Sequence, residues 1–441
     1  MPTPSAHPDP SAGAAAEAAA ARAPGPPPAD ITDDLADRDH RHLGRQLDLF
    51  ATDELVGAGL PLWLPDGTVV RGALERFVVE LEDRTGHRRV ATPVLGKREL
   101  YETSGHWQHF RDDMFPPLDL GDEQLVLRPA NCPHHMLVYR SAQRSFRDLP
   151  VRLAELGTMF RYERSGVVGG LARVRAMTLN DGHVFATVDQ VEDEVGRILA
   201  LIDEAYAVLG IDDHWLRLSL RGPLRSYADG PWDRAEDALR SVLAARGRSW
   251  VEAADEAAFY GPKIDVQVRD VRGREETLST VQVDFHQPRA FGLEYTDADG
   301  QRRQPVMIHR SLVSTMERLT AFLIERYAGA FPVWLAPVQL VALPVAEGHV
   351  DAADALRAHA RDAGLRVEVA DPRASLGARI RAARERRAPF MAVIGDREVA
   401  DGTVSIRRRD DVRLAPQSVD TVLHGIAALA RLRSRTLDLP D

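Results

Sequence analysis

The chain of 441 residues carries one cysteine, Cys132, and two lysines, Lys97 and Lys263. A lone thiol excludes a disulfide scaffold. No run of about 18 apolar residues occurs, so no membrane-spanning helix is expected. The opening MPTPSAHPDPSAG lacks the basic flank and apolar run of a secretory signal. Collagen-like and coiled-coil compositions are absent as well. A net charge of −10 argues against indiscriminate coating of nucleic acid, yet leaves room for a local basic face. A soluble, cytoplasmic protein with a large core is therefore expected, and its length allows two or three domains at about 100–200 residues each. The basic side chains are almost all arginine, the better bidentate partner of phosphate and carboxylate. Where so lysine-poor a chain still uses a lysine, a compact, mobile ammonium is the natural reason.

Residues 1–38 are rich in alanine and proline (AGAAAEAAAARAPGPPPAD) and cannot bury enough surface to offset chain entropy, so a disordered tail is expected. Globular patterning starts at Asp39. DHRHLGRQLDLFATDELVG reads as a helical entry, and WLPDGTVVRGALERFVVELEDRTG as a turn followed by an amphipathic helix. Between Val90 and Thr320, strand-like runs (QLVLRP, VRLAELGTMFRYE, RVRAMTLNDGHVFA, IDVQVRDV, STVQVDF) alternate with isolated helices. The clearest helix sets Val191, Val195, Ile198, Leu199, Ile202 and Tyr206 on one face. Strands in hairpin-like succession favour a largely antiparallel sheet with helices packed on it, an α+β class. After FPVWL the order becomes β-α-β-α-β, the mark of a small parallel-sheet α/β domain. The expected division is thus 1–38, 39–334 and 335–441.

Four constellations could carry chemistry. In FRYERSG (160–166) and RVRAMTLNDGHVF (173–185), Arg161, Arg173 and Arg175 flank a glycine-rich loop. Such arginines can grip phosphate and Glu163 can accept from a base amine, although an exposed hairpin with solvated arginines explains them too. Cys132, His183 and His309 each sit in or beside an apolar strand-like run. One thiolate and two imidazoles suit zinc and leave a fourth position open, but His134, His135 and His286 are equally eligible on spacing. Tyr260 and Lys263 flank a Gly-Pro turn, with Gln282 alternating in the next strand-like run. Finally, Arg373, Arg379, Arg381, Arg384, Arg386, Arg387, Arg397, Arg407, Arg408 and Arg409 crowd the C-terminal region. They suit an RNA backbone or a solvated helix face.

Taken together, the segments from about residue 45 onward resemble the class II threonyl-tRNA synthetases. RPANCPHH resembles that family's zinc-cysteine segment, FRYERSG with LARVRAMTLNDGH its motif 2, AFYGPKID its tyrosine-lysine turn, PVMIHRSLVSTMERL the stretch into motif 3, and FPVWLAPVQL the entry into its anticodon-binding domain. The helix 70–83 running into RRVATPVL is the counterpart of motif 1. The resemblance implies a class II antiparallel sheet flanked by helices, plus a small anticodon-binding-like domain. It implies that Cys132, His183 and His309 hold zinc, and that Mg²⁺ accompanies ATP. Threonine is then read by Asp181, Tyr260 and Gln282, with Leu179 and Ala130 within reach of it. Arg161, Glu163, Arg173, Gln282, Ser314 and Arg318 belong at ATP, and Lys263 at the reacting phosphate. His106 matches a histidine that moves a proton during transfer to tRNA, and Glu398 and Arg407 match anticodon-reading positions. A homodimer is implied through motif 1.

Departures from the family pattern accompany the matches. Leu179 stands for glutamine, Asn180 for aspartate, Gly182 for alanine, Ala130 for methionine, His134 for glycine, Arg164 for proline and Ser314 for a glycine beside the adenine. Familiar members also carry two further N-terminal domains, one of which removes wrongly attached serine. Without them, mischarging with serine or separate editing is expected. The function expected first is ATP-dependent formation of threonyl adenylate and charging of tRNA. A specialised paralogue serving a biosynthetic acceptor or tolerating an inhibitor, and a non-catalytic tRNA-binding regulator, are the other readings.

Overall fold

The structure, a computed structural model, describes residues 38–222 and 229–440. The Ala/Pro-rich tail expected over 1–38 lies outside the described residues except for Arg38. The chain then forms helix α1 (His40–Gln46) and helix α2 (Pro65–Arg84). Asp39 caps α1 by accepting the Arg41 N–H at 2.8 Å. The Pro-Asp-Gly read as a turn is instead the first turn of α2. Proline fits the first helical position, where its missing N–H is no loss. Gly67 in that turn lies against the Leu49 backbone, where a Cβ would collide with the Leu49 carbonyl oxygen.

Eight strands build the main sheet: β1 (Arg88–Arg89), β2 (Val151–Phe160), β3 (Ala176–Ala186), β4 (His214–Ser219), β5 (Trp250–Ala253), β6 (Lys263–Arg269), β7 (Glu275–Asp284) and β8 (Val306–Ser311). Their lateral order is β5-β4-β6-β7-β8-β3-β2-β1. All neighbours run antiparallel except the outermost pairs, β5 with β4 and β1 with β2. The strand-like runs read from sequence thus become the central strands. Helices α3 (Cys132–Arg140), α4 (Val191–Leu209), α5 (Asp229–Ala245) and α6 (Met316–Arg326) accompany them. The six apolar residues expected on one face of α4 are all buried in the principal core, and α4 stops at Gly210 with φ 70°. Burying side chains of this size stabilises the fold by about 1.5–3 kcal/mol each.

The C-terminal region holds α7 (Val350–Asp362), α8 (Leu376–Glu385) and α9 (Val419–Arg431) around strands β9 (Leu340–Pro344), β10 (Val367–Val369), β11 (Phe390–Ile394), β12 (Thr403–Arg408) and β13 (Gln417–Ser418). Strands β10, β9 and β11 are parallel as expected. The sheet is nonetheless mixed, because β12 returns antiparallel along β11 and β13 follows it. The short connection through the helix Asp396–Asp401 makes this return possible, and the sheet packs a second apolar core against α7 and α9. Among the described residues, no helix is long and apolar enough to cross a membrane.

Candidate active site

Register across the sheet assembles the site. Lys263 on β6 pairs with Gln282 on β7, Gln282 with His309 on β8, and His309 with His183 on β3. Directly opposed residues on antiparallel strands project from the same face, so the four side chains form one row. Cys132 reaches the row from the N-terminus of α3, a helical position rather than a strand-like one, because Pro133 follows it at the favoured start of a helix. The Cys132 sulfur and one nitrogen of each imidazole lie within 4.8 Å of one another, and all three residues are buried.

Each imidazole is anchored through its other nitrogen. His309 Nε2 lies 2.9 Å from Asp284 Oδ2, and His183 Nδ1 lies 2.8 Å from His135 Nδ1. His135 Nε2 in turn meets Glu155 Oε2 at 3.0 Å, and Glu155 also accepts from Thr92 and Arg128. Burial works to raise the Glu155 carboxyl, but those hydrogen bonds and the Arg128 charge hold it at about 2. The inward nitrogens, His183 Nε2 and His309 Nδ1, stand 3.0 Å apart, close to the roughly 3.3 Å that tetrahedral zinc imposes on two nitrogen ligands. Soft and borderline donors, inward-facing nitrogens and held outer nitrogens together fit zinc. Burial drives the Cys132 thiol up, with the Asp181 and Asp284 carboxylates adding to the effect, and drives His183 well down. Bound metal would oppose the first effect by favouring thiolate, while the second already leaves His183 as the neutral imidazole that ligates.

Around the triad stand the residues expected to read substrate. Tyr260 stacks on His309 with ring centroids 4.6 Å apart. The Gln282 Oε1 is buried without a hydrogen-bond partner, an acceptor that a ligand would satisfy. Asp181 is buried, which raises its carboxyl. Ala130 is half-buried against the apolar cluster around Cys132, and Leu179 forms an isolated bridge with Thr315. His106 is buried, bonded to Ser104 Oγ at 2.8 Å and edge-on to Phe259. Burial, then the charges of His309 and Arg161, hold its imidazole down to about 3. Lys263 lies 2.8 Å from Asp265, a fully buried carboxylate shared with Arg217 and Ser219.

Arg161, exposed just past β2, links this end of the site to a second one. Its charge is felt by Cys132, Tyr260 and His106, and also by Arg318. Arg318 stands on α6, whose N-terminus Thr315 caps by accepting the Arg318 N–H at 3.0 Å. Arg318 and Arg173 line a cavity of about 440 Å³ together with Glu276, Arg272 and Arg274. Glu163 pairs with Arg173 at 2.8 Å. Ser314, buried beside this end, takes a left-handed φ of 69°.

Several residues were beyond sequence reasoning. Asp284, Asp265 and Glu276 carry no motif of their own; only strand pairing brings them in. Of the equally eligible histidines, His135 supports the triad, His134 lies edge-on to Tyr101, and His286 lines a separate cavity of about 200 Å³. In the C-terminal region Arg379 is buried and donates to backbone carbonyls, Arg386 pairs with Asp66 and Glu368, Arg407 with Asp411, and Arg408 with Asp410 and Asp438. Much of that basic cluster is therefore committed to the fold. Glu398 accepts from Gly395 N and Ser405 Oγ.

Comparison with known proteins supplies the family. Residues 115–327 match the tRNA synthetase class II core domain (G, H, P, S and T), and 339–429 match an anticodon binding domain. The structure of the RNA binding domain of threonyl-tRNA synthetase from Cryptosporidium parvum Iowa II is 32% identical, with a TM-score of 0.85 over 91% of this chain and 99% of that one. The chain belongs to the threonyl-tRNA synthetase family. Threonine–tRNA ligases of the same family from Geobacillus sp. (strain WCH70) and Listeria monocytogenes serotype 4a (strain HCC23) are 49% and 51% identical over 90% and 84% of this chain. This family member spans 62% and 59% of their lengths. A Giardia lamblia prolyl-tRNA synthetase at 17% identity and a TM-score of 0.69 shares the fold.

Proposed function

We propose that the chain activates L-threonine with ATP and transfers it to tRNA. The supporting observation is the buried Cys132–His183–His309 cluster, in one row with Gln282 and Lys263, with Arg161 just past the end of β2. A guanidinium there would bridge the amino-acid carboxylate and the α-phosphate, holding the two reactants in line. The carboxylate oxygen attacks the α-phosphorus, a new C–O–P linkage forms, and pyrophosphate departs. Arg161, Arg318, Lys263 and Mg²⁺ arriving with ATP offset the charge that builds on phosphate. The terminal ribose hydroxyl of tRNA then attacks the acyl carbon and AMP leaves, so no protein nucleophile is needed. His106, held neutral, would pass the hydroxyl proton onward.

Cys132, His183 and His309 would hold zinc, whose open position would engage a hydroxylated amino acid and reject isosteric valine. Asp181, Tyr260 and Gln282 line the amino acid with Leu179 and Ala130, while Glu163, Arg173 and Ser314 face the nucleotide. Glu398 and Arg407 are assigned to the anticodon. The working division is a catalytic domain over 39–334 and an anticodon-binding-like domain over 335–441, acting as a cytoplasmic homodimer.

Pyrophosphate exchange with threonine, serine and valine, followed by charging of a tRNA transcript, tests this reading. Exchange is expected with threonine and should fall at least about 100-fold with valine. Absence of threonine-dependent exchange would overturn the reading, and exchange without charging would replace its second half by another acceptor.

A further inference from the structure

The segment Asp39–His40, read from sequence only as a helical entry, closes a hydrogen-bonded circuit at the arginine-lined cavity. Nδ1 of His40 lies 2.7 Å from Glu325 Oε1 on α6, and the His40 backbone N–H donates to the same oxygen at 3.2 Å. With the Nδ1 proton so engaged, Nε2 accepts the backbone N–H of Leu171 at 3.3 Å. The next residue, Ala172, offers its carbonyl to Arg318 Nε at 3.3 Å. Arg318 and Glu325 sit two turns apart on α6, so the path from Glu325 through His40, Leu171, Ala172 and Arg318 returns to its own helix.

Three further features tighten the circuit. Gly170 has φ 53°, and a Cβ there would collide with His40 Nε2. Leu171 is fully buried, which fixes the loop's depth. Asp39 Oδ2 accepts from Arg272 at 2.7 Å, tying in the β6–β7 turn. Asp39, His40, Arg41 and Glu325 line the cavity that Arg173 and Arg318 also line.

We infer that His40 is a positioning residue for nucleotide binding: it clamps Leu171–Ala172 against α6 and so sets where the Arg318 guanidinium points. The inference rests on reading this cavity as the nucleotide site. His40 touches no reacting atom in that reading, so its effect should appear in the binding of ATP.

Two amides dissect the ring. In His40→Asn the side-chain NH₂ can replace Nδ1 toward Glu325 but cannot reach Leu171. In His40→Gln the amide oxygen can replace Nε2 toward Leu171. KM for ATP and for threonine would be measured in pyrophosphate exchange with the full chain, alongside active-site titration and calorimetry of Mg·ATP binding. His40→Asn and His40→Ala should raise KM for ATP about tenfold, leave KM for threonine within about twofold, and keep the active fraction; His40→Gln should recover most of the loss. A wild-type KM for ATP in His40→Asn, or a loss confined to the active fraction, overturns the inference. Failure of the unmodified chain to bind Mg·ATP would instead remove the nucleotide reading on which it stands.

Discussion

The Cys132–His183–His309 cluster and the arginine-lined cavity are held by different means. Two of the three donors sit on paired strands, and both imidazoles are fixed by their outer nitrogens. Arg173, which lines the cavity, belongs to the segment between β2 and β3. Arg173 is half-exposed and already engaged with Glu163. Strand-borne sites are more sharply placed than loop-borne ones. The cluster is thus preformed for one compact group, whereas Arg173 would have to part from Glu163 to grip an anion. Selection of the amino acid should therefore be steep and all-or-none, and nucleotide binding graded.

The largest expected contrast follows directly. Cys132→Ala should remove bound zinc and threonine-dependent exchange together, by at least about a thousandfold, since loss of a ligand should exceed the 10- to 100-fold typical of a supporting group. Arg173→Ala should cost about 10- to 150-fold, expressed in KM for ATP, because a half-exposed charge-assisted contact is worth only about 1.5–3 kcal/mol. Metal analysis beside exchange kinetics checks both. Zinc retained in Cys132→Ala would break the comparison on its rigid side.

The groups behind the imidazoles sharpen it. Asp284→Asn keeps a group of nearly the same shape but loses the charge that orients His309, and Glu155→Gln does the same one step behind His183. Each should weaken zinc about 10- to 100-fold, with Asp284→Asn the larger because it contacts a ligand directly. Chelator competition measures the order, and equal effects would show that distance from the donor does not matter.

This asymmetry also marks what the sequence could reveal. The strand-like runs, the α4 face and the switch to β-α-β order after Trp334 were legible because burial imposes period on apolar residues. The donor triad was not legible from spacing, since its members lie 51 and 126 residues apart by subtraction of their numbers and only lateral strand pairing aligns them. The ordered similarity of several segments to one family recovered it. Asp284 and Glu155 escaped both routes, because a carboxylate on a strand reads as solvent-facing until its neighbour is known. The crowd of C-terminal arginines suited an RNA backbone and a solvated helix face alike, because density alone does not show which side chains the fold engages; Arg379, Arg386 and Arg408 are so engaged. The antiparallel return of β12 went unread because a strand ending in two arginines, with a third just beyond it, resembles a surface run.

The smallest expected effect tests the adaptable side. Ser314 adopts φ 69° where the family pattern has glycine, and it is locked there by two hydrogen bonds: its N–H donates to Ser311 Oγ, and its carbonyl accepts from Asn180 N–H, both at 3.1 Å. A side chain in this region costs about 1–2 kcal/mol, while glycine gives part of that back through unfolded-state entropy. Ser314→Gly should therefore stabilise the protein by a net ~0.5–1 kcal/mol, read as a rise of a few degrees at most in Tm. Because the residue precedes the cap of α6, the substitution also lets the Arg318 helix start settle more freely. KM for ATP should shift by less than about threefold while KM for threonine stays fixed. A fall in Tm would mean that the Ser314 side chain makes a contact worth more than the strain it imposes. A change in KM for threonine would mean that the two ends of the site are not separately held.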